Sequence, residues 1–171
     1  MKKLLLAIVI IITATLVDAQ MKTSFSIGFE AAGSMGKFND FGYRYGFGGS
    51  AQVIHKVASD FALTLHAGYI NHANKRTITN THFSVIPVLA GIKYWFTPKI
   101  YGSGQLGVAF NSSKISNSSS GNASSTAFAY SPGIGFNITK RIDLLAKFLG
   151  NGAGDEALST IGARLAYNFS K

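Results

Sequence analysis

The chain has 171 residues and no cysteine, with 16 Lys plus Arg against 7 Asp plus Glu and a formal charge of +9. One domain is the natural count at this length, and the missing cysteines exclude disulfide scaffolds, thiol enzymes, zinc ribbons and iron–sulfur sites. Only 13 % of residues are charged while Gly, Phe and Tyr number 19, 13 and 7, a balance that opposes disordered tails and coiled coils and favours tightly turned sheets.

The first 19 residues read as a secretory signal peptide. Lys2 and Lys3 precede an apolar run from Leu4 to Val17, and Val17-Asp18-Ala19 sets short residues before a cut. The run is too short and wrongly flanked for a membrane helix. The expected organisation is therefore a signal at 1–19 and one domain at 20–171.

From Ser24 onward the pattern is alternation. Phe25, Ile27, Phe29 and Ala31 share one parity; Tyr43 to Val53 repeats it, and so does Phe61 to Tyr69. Ile86 to Phe96, Leu106 to Phe110, Phe128 to Ile138, Ile142 to Phe148 and Ile161 to Phe169 complete the set. Period two over such lengths marks strands with one apolar and one polar face. Long polar links fall at 33–40, 71–80, 111–125 and 150–156, and short ones at 56–60, 97–99 and 139–141. An even strand number with short turns at one end and long loops at the other predicts an all-β fold: an eight-stranded antiparallel transmembrane β-barrel of up-and-down topology.

The polar parity is small and mostly uncharged, suited to a narrow lumen filled by side chains. The apolar parity is large, which suits lipid. Tyr43, Tyr45, Tyr69, Phe110, Phe128, Tyr130 and Phe148 fall near the long-loop ends, and Phe61, Tyr94, Phe96, Phe136, Tyr167 and Phe169 near the short turns. Two aromatic girdles are expected of such a barrel. Both termini are then expected in the periplasm and the long loops outside the cell.

The stretch Ile86-Pro87-Val88-Leu89-Ala90-Gly91-Ile92-Lys93-Tyr94-Trp95-Phe96, with Gly104-Gln105-Leu106-Gly107-Val108 after it, resembles the small outer-membrane β-barrel proteins of Gram-negative bacteria. The likeness is to the OmpA/OmpX architecture and to barrel domains common in Bacteroidota, and it spans Gln20 to Lys171. It implies partners in outer-membrane lipid, including lipopolysaccharide, and in the barrel-assembly machinery. Such barrels often end on an aromatic residue, whereas here Ser170 and Lys171 follow Phe169. Architecture is what the likeness specifies, since one barrel type hosts many roles.

Pro87 and Pro132 fall inside proposed strands, where a closed barrel has no edge for them. Phe83 and Val85 are odd while the apolar set from Ile86 is even, so a bulge is expected near Pro87. Pro132 keeps parity and has no such signal.

Six ionic residues, Glu30, Arg44, Lys93, Asp143, Lys147 and Arg164, fall on the polar parity. Glu30, Lys147 and Arg164 count to similar mid-lumen depth, with Arg44 above them, and closing the barrel sets Arg164 beside Glu30. The expectation is a structural lumen network; an ion path is the functional alternative. His66 shares this face and is expected to be hydrogen-bonded there, since four His without clustered carboxylates do not make a metal site. No cofactor is implied.

His82-Phe83-Ser84 has the His-x-Ser spacing of lipid A deacylases, but the next carboxylate along the chain is Asp143, three strands away. Triad logic fails, so the chain is read as a non-enzyme. Lys56, Lys99, Lys140, Arg141 and Lys171 map to turns or the terminus rather than to a basic stripe, which argues against nucleic acid. The polar loop at 111–125 is expected to be solvated. The function expected is a structural or surface-interaction role, adhesion included, with a narrow porin-like path as the alternative.

Overall fold

A computed structural model describes residues 23–36, 43–74, 81–115, 123–152 and 158–169. They form eight strands: β1 (Thr23–Met35), β2 (Tyr43–Lys56), β3 (Phe61–Asn74), β4 (Thr81–Trp95), β5 (Ile100–Ile115), β6 (Ala123–Asn137), β7 (Ile142–Asn151) and β8 (Leu158–Phe169). Each pairs antiparallel with the next, and β8 closes on β1. The expected signal peptide lies outside the described residues.

The ladder fixes the barrel's geometry. From Phe25 the register runs to Val53, Leu65, Ala90, Leu106, Tyr130, Gly150 and Ser159, and returns to β1 at Met35. That return is ten residues along the strand (25 to 35), a stagger that goes with strands tilted by about 35–45°. Eight strands at this tilt enclose a lumen just wide enough for side chains to fill.

Alternation turns the apolar parity outward on every strand. Ile27, Phe29, Phe47, Leu65, Leu106, Ile134, Ile161 and Leu165 are between 48 % and 67 % exposed. A water-soluble barrel would bury this set; here it makes a continuous outer belt. Aromatic contacts flank it, with Phe25–Phe169 and Tyr94–Phe96 near the short turns (ring centroids 6.1 and 5.4 Å) and Tyr130–Phe148 (5.8 Å) towards the long loops.

Two short turns share one device. Thr97 Oγ1 accepts from the amides of Lys99 and Ile100 (3.3 and 3.0 Å), and Thr139 Oγ1 accepts from those of Arg141 and Ile142 (3.1 and 3.0 Å). A hydroxyl bonding the backbone two and three residues on stabilises a tight reversal. At the long-loop end the strands run farther than the alternation suggested: β3 continues to Asn74, β5 to Ile115 and β6 starts at Ala123. The proposed link at 111–125 therefore begins and ends inside strands; its middle lies outside the described residues.

The bulge expected near Pro87 is absent. The β4–β5 register runs unbroken from Thr81 to Trp95, and Val85, Pro87 and Leu89 all turn inward. Phe83 and Val85 break the apolar parity because they belong to the lumen. The missing proline N–H is accommodated on the other side, where the β3–β4 ladder passes from Ala67↔Val88 to Ile70↔Val85 without pairing the positions between. Pro132 has the same explanation: it pairs with Gly104 of β5, while the β6–β7 ladder skips from Tyr130↔Gly150 to Gly133↔Lys147. Each proline costs one local gap in a ladder otherwise in register.

Candidate functional site

The inward residues follow one order on four strands, from the short-turn end upward. On β7 they are Asp143, Leu145, Lys147, Leu149 and Asn151; on β3, Thr64, His66, Ile70 and His72 follow Ala62; on β1, Ser26, Glu30, Ala32 and Ser34; on β4, Lys93, Leu89 and Val85. Towards the long loops the charged residues give way to hydrocarbon, and β1, β3 and β7 end on a polar group.

The charged layer brings together five of the six ionic residues. Lys147 Nζ lies 2.8 Å from Glu30 Oε2, and Lys93 Nζ donates to Asp143 Oδ2 at 3.2 Å. Arg164 stands between the two carboxylates, 3.9 Å from Glu30 Oε1 and 3.8 Å from Asp143 Oδ1. Its Nε donates to Ser50 Oγ (2.8 Å) and its Nη2 to Ser26 Oγ (3.0 Å). Arg164 and Glu30 are register partners across the β1–β8 seam. His66 Nε2 approaches Glu30 Oε1 at 3.5 Å. All of these side chains are buried, so each charge has lost bulk water and depends on its neighbours.

Arg44 is outside this layer. It sits at a register shift between Tyr43 and Tyr45 and is exposed. One skipped residue moves a side chain to the other face, which defeats a depth count made by parity. Asp143 is the converse case: a second carboxylate joins Glu30, because Lys93 and Arg164 both extend to it.

Glycine makes room for the largest inward groups. A Cβ on Gly28 would stand 2.8 Å from Arg164 Nε, and one on Gly135 would overlap the Tyr101 ring. Tyr101 in turn lies under Lys93, whose Nζ is 4.3 Å from the ring centroid.

Above the charges, Ala32, Ile70, Val85, Leu89, Ala109, Ala129 and Leu149 form the buried apolar cluster, with Phe83 against it. Above that, Asn111 and Asn151 exchange amide hydrogen bonds across the lumen (3.1 and 2.8 Å), and the Ser34 hydroxyl lies 3.5 Å from His72 Nδ1. Composition had suggested a lumen of small polar residues and ions; the hydrocarbon layer is what that reading missed. Its residues share parity with the polar ones, and only the odd placement of Phe83 and Val85 betrayed them.

Below the charges the lumen widens to a cavity of about 840 Å³ at the short-turn end, lined among others by Lys93, Asp143, Trp95, Lys56, Lys99 and Lys140.

Ser84 is hydrogen-bonded to its neighbours on β3. Its hydroxyl is 3.0 Å from the Tyr69 hydroxyl and 3.4 Å from Asn71 Nδ2, while Asp143 lies within the lumen against Lys93. The side chain of His82 lies outside the described residues. Among the described residues no group of three or more His, Cys, Asp or Glu is placed to hold a metal ion.

Several solved structures share this architecture. Ail, the attachment invasion locus protein of Yersinia pestis, solved with the heparin analogue sucrose octasulfate, superposes with a TM-score of 0.67 at 19 % identity, over 87 % of this chain and 99 % of its own. The N-terminal β-barrel domain of Pseudomonas aeruginosa OprF gives 0.59 at 18 % identity over 88 % and 100 %, and Neisserial surface protein A gives 0.54 at 13 % over 86 % and 96 %. At such identities the likeness is one of fold. A sequence search of curated proteins gives no significant match. The model of the outer membrane protein beta-barrel domain matches residues 4–169, and the chain, a closed eight-stranded barrel with an apolar outer belt and a filled lumen, belongs to that outer-membrane family.

Proposed function

We propose that this barrel is a non-enzymatic surface-interaction protein whose lumen is a structural plug. The observation that carries the reading is the buried hydrocarbon layer of Ile70, Val85, Leu89 and Leu149 stacked on the Glu30–Lys147 and Lys93–Asp143 pairs. An ion crossing hydrocarbon sheds its hydration without compensation, and the charges beneath are already paired. A sealed lumen leaves recognition to the ends of the barrel. Ail, similar in fold, was solved with a sulfated sugar analogue, a precedent for such a barrel meeting a polyanionic surface. Secretion through the signal at 1–19, insertion by the barrel-assembly machinery, contact with lipopolysaccharide, periplasmic termini and extracellular long loops complete the proposal. The paired Ser84 supports the absence of lipid A hydrolysis.

Conductance in planar bilayers is the test. The purified barrel should give no channel steps, while a Leu89→Ser, Leu149→Ser variant, with that layer made polar, should conduct. Cells carrying the barrel should bind an immobilised sulfated glycan more than a deletion strain does. Open-channel steps from the unaltered protein would establish the porin-like alternative, and altered lipid A masses in the deletion strain would establish a hydrolase.

A further inference from the structure

We propose that the cavity at the short-turn end is an anion site that takes a phosphate-bearing molecule. Its volume of about 840 Å³ lies within the range of small-molecule pockets, roughly 300–1,000 Å³. Four lysines line it, Lys56, Lys93, Lys99 and Lys140, against two carboxylates, Asp60 and Asp143. Asp143 is engaged twice, by Lys93 at 3.2 Å and by Arg164 at 3.8 Å, so it does not offset the remaining lysines. These come from three separate places: Lys56 from the end of β2, Lys99 from the β4–β5 turn and Lys140 from the β6–β7 turn. Tilt and closure of the barrel aim them at one mouth. A cavity with a surplus of one sign of charge concentrates counter-ions of the other.

The neutral groups point the same way. Thr97 and Thr139, also in the lining, have their oxygens occupied by two backbone amides each, which leaves the O–H to donate. Asn137 Nδ2 donates to the Pro98 carbonyl at 3.3 Å, which fixes the amide between two of the turns. The lining thus combines ammonium groups with oriented hydroxyl donors, the set that suits phosphate oxygens. A phosphate monoester brings about −1.5 to −2 charges, which answers the surplus better than a single carboxylate would. Two sources present phosphate oxygens: a soluble phosphate monoester, and the headgroup of a surrounding phospholipid, whose phosphodiester carries a single negative charge. The rim residues Tyr94 and Phe96 also belong to the outer belt, so both sources can reach the mouth.

The chain supplies its own reporter. Trp95 is its single tryptophan, lines the cavity and lies beneath Lys56 Nζ, 5.0 Å from the ring centroid. The full-length barrel, folded in an uncharged maltoside detergent, is titrated with glycerol 3-phosphate, inorganic phosphate and dihexanoyl phosphatidylglycerol below its micelle concentration. Trp95 emission should change saturably with at least one of them. A Lys99→Gln, Lys140→Gln variant should bind on the order of tenfold more weakly, as expected when charge-assisted contacts are removed, and Lys99→Arg, Lys140→Arg should recover most of the loss. Saturation by glycerol phosphate or phosphate assigns the soluble source, and saturation by the lipid alone assigns the headgroup. Heat-dependent gel migration confirms that each variant is folded. No saturable change with any probe, or equal binding by the glutamine variant, overturns the site. The lumen plug is untouched by either result, so this proposal and the functional reading fail separately.

Discussion

Glu30 is the residue on which the lumen charges balance. It meets Lys147 at 2.8 Å, and Arg164 and His66 lie within 3.9 Å. Removing its charge leaves a buried lysine beside a buried guanidinium. Breaking a buried pair by losing one partner costs about 3–5 kcal/mol, so Glu30→Gln should lower urea stability by that order in detergent or bilayers. Lys147, rather than Arg164, is the partner to remove in compensation, because Arg164 keeps Asp143, Ser26 and Ser50. A Glu30→Gln, Lys147→Met double variant should therefore recover part of the loss, and strictly additive losses would show that the two do not interact. Parity alone put Glu30, Lys147 and Arg164 on one face and closure put Arg164 opposite Glu30. The long reach of Lys93 and Arg164 to Asp143 was not legible, because it depends on rotamers and tilt rather than on spacing. Arg44 was misread because one register shift undoes the count.

At the scale of strands, alternation was legible nearly throughout: most of the outward set read from the sequence is exposed, with Phe61 and Phe148 half-buried. The exception was instructive. In β4 the apolar residues at 83 and 85 looked like a slipped strand, yet the register is continuous. Period two reports which residues share a face; it does not say that the inner face is polar. The belt gives a depth-dependent prediction. Phe29 lies midway along β1 and faces outward, so Phe29→Lys should cost about 2–4 kcal/mol in bilayer-reconstituted protein, the range for lysine at the midplane. Tyr167 pairs with Ile142 beside a short turn, and the same substitution there should cost about 0–1 kcal/mol. Equal costs, measured by urea unfolding into vesicles, would mean that the belt is not centred on the membrane.

For the molecule as a whole, closure replaces every strand edge with a ladder, so unfolding has no edge from which to begin. Folded protein in detergent should migrate differently on a gel before and after boiling. Identical migration, with the protein recovered in a soluble fraction, would contradict the membrane assignment. Strand number, topology and outward face were legible because they follow from local periodicity. The apolar layer across the lumen was not, because it arises only when inward residues from strands far apart in sequence meet at one depth.

The charged layer straddles the seam between the first and last strands. Glu30 on β1 is answered by Lys147 of β7, and Arg164 of β8 reaches Ser26 of β1 and Ser50 of β2. In a sheet not yet closed Glu30 lacks Lys147 and Arg164 lacks Ser26 and Ser50, and a membrane disfavours charges so exposed. A barrel without its last two strands would keep Glu30 and Lys93 but lose Lys147, Asp143 and Arg164, the groups that answer them. Only the finished cylinder hides them, so the same contacts that fill the lumen also tell a whole barrel from a truncated one.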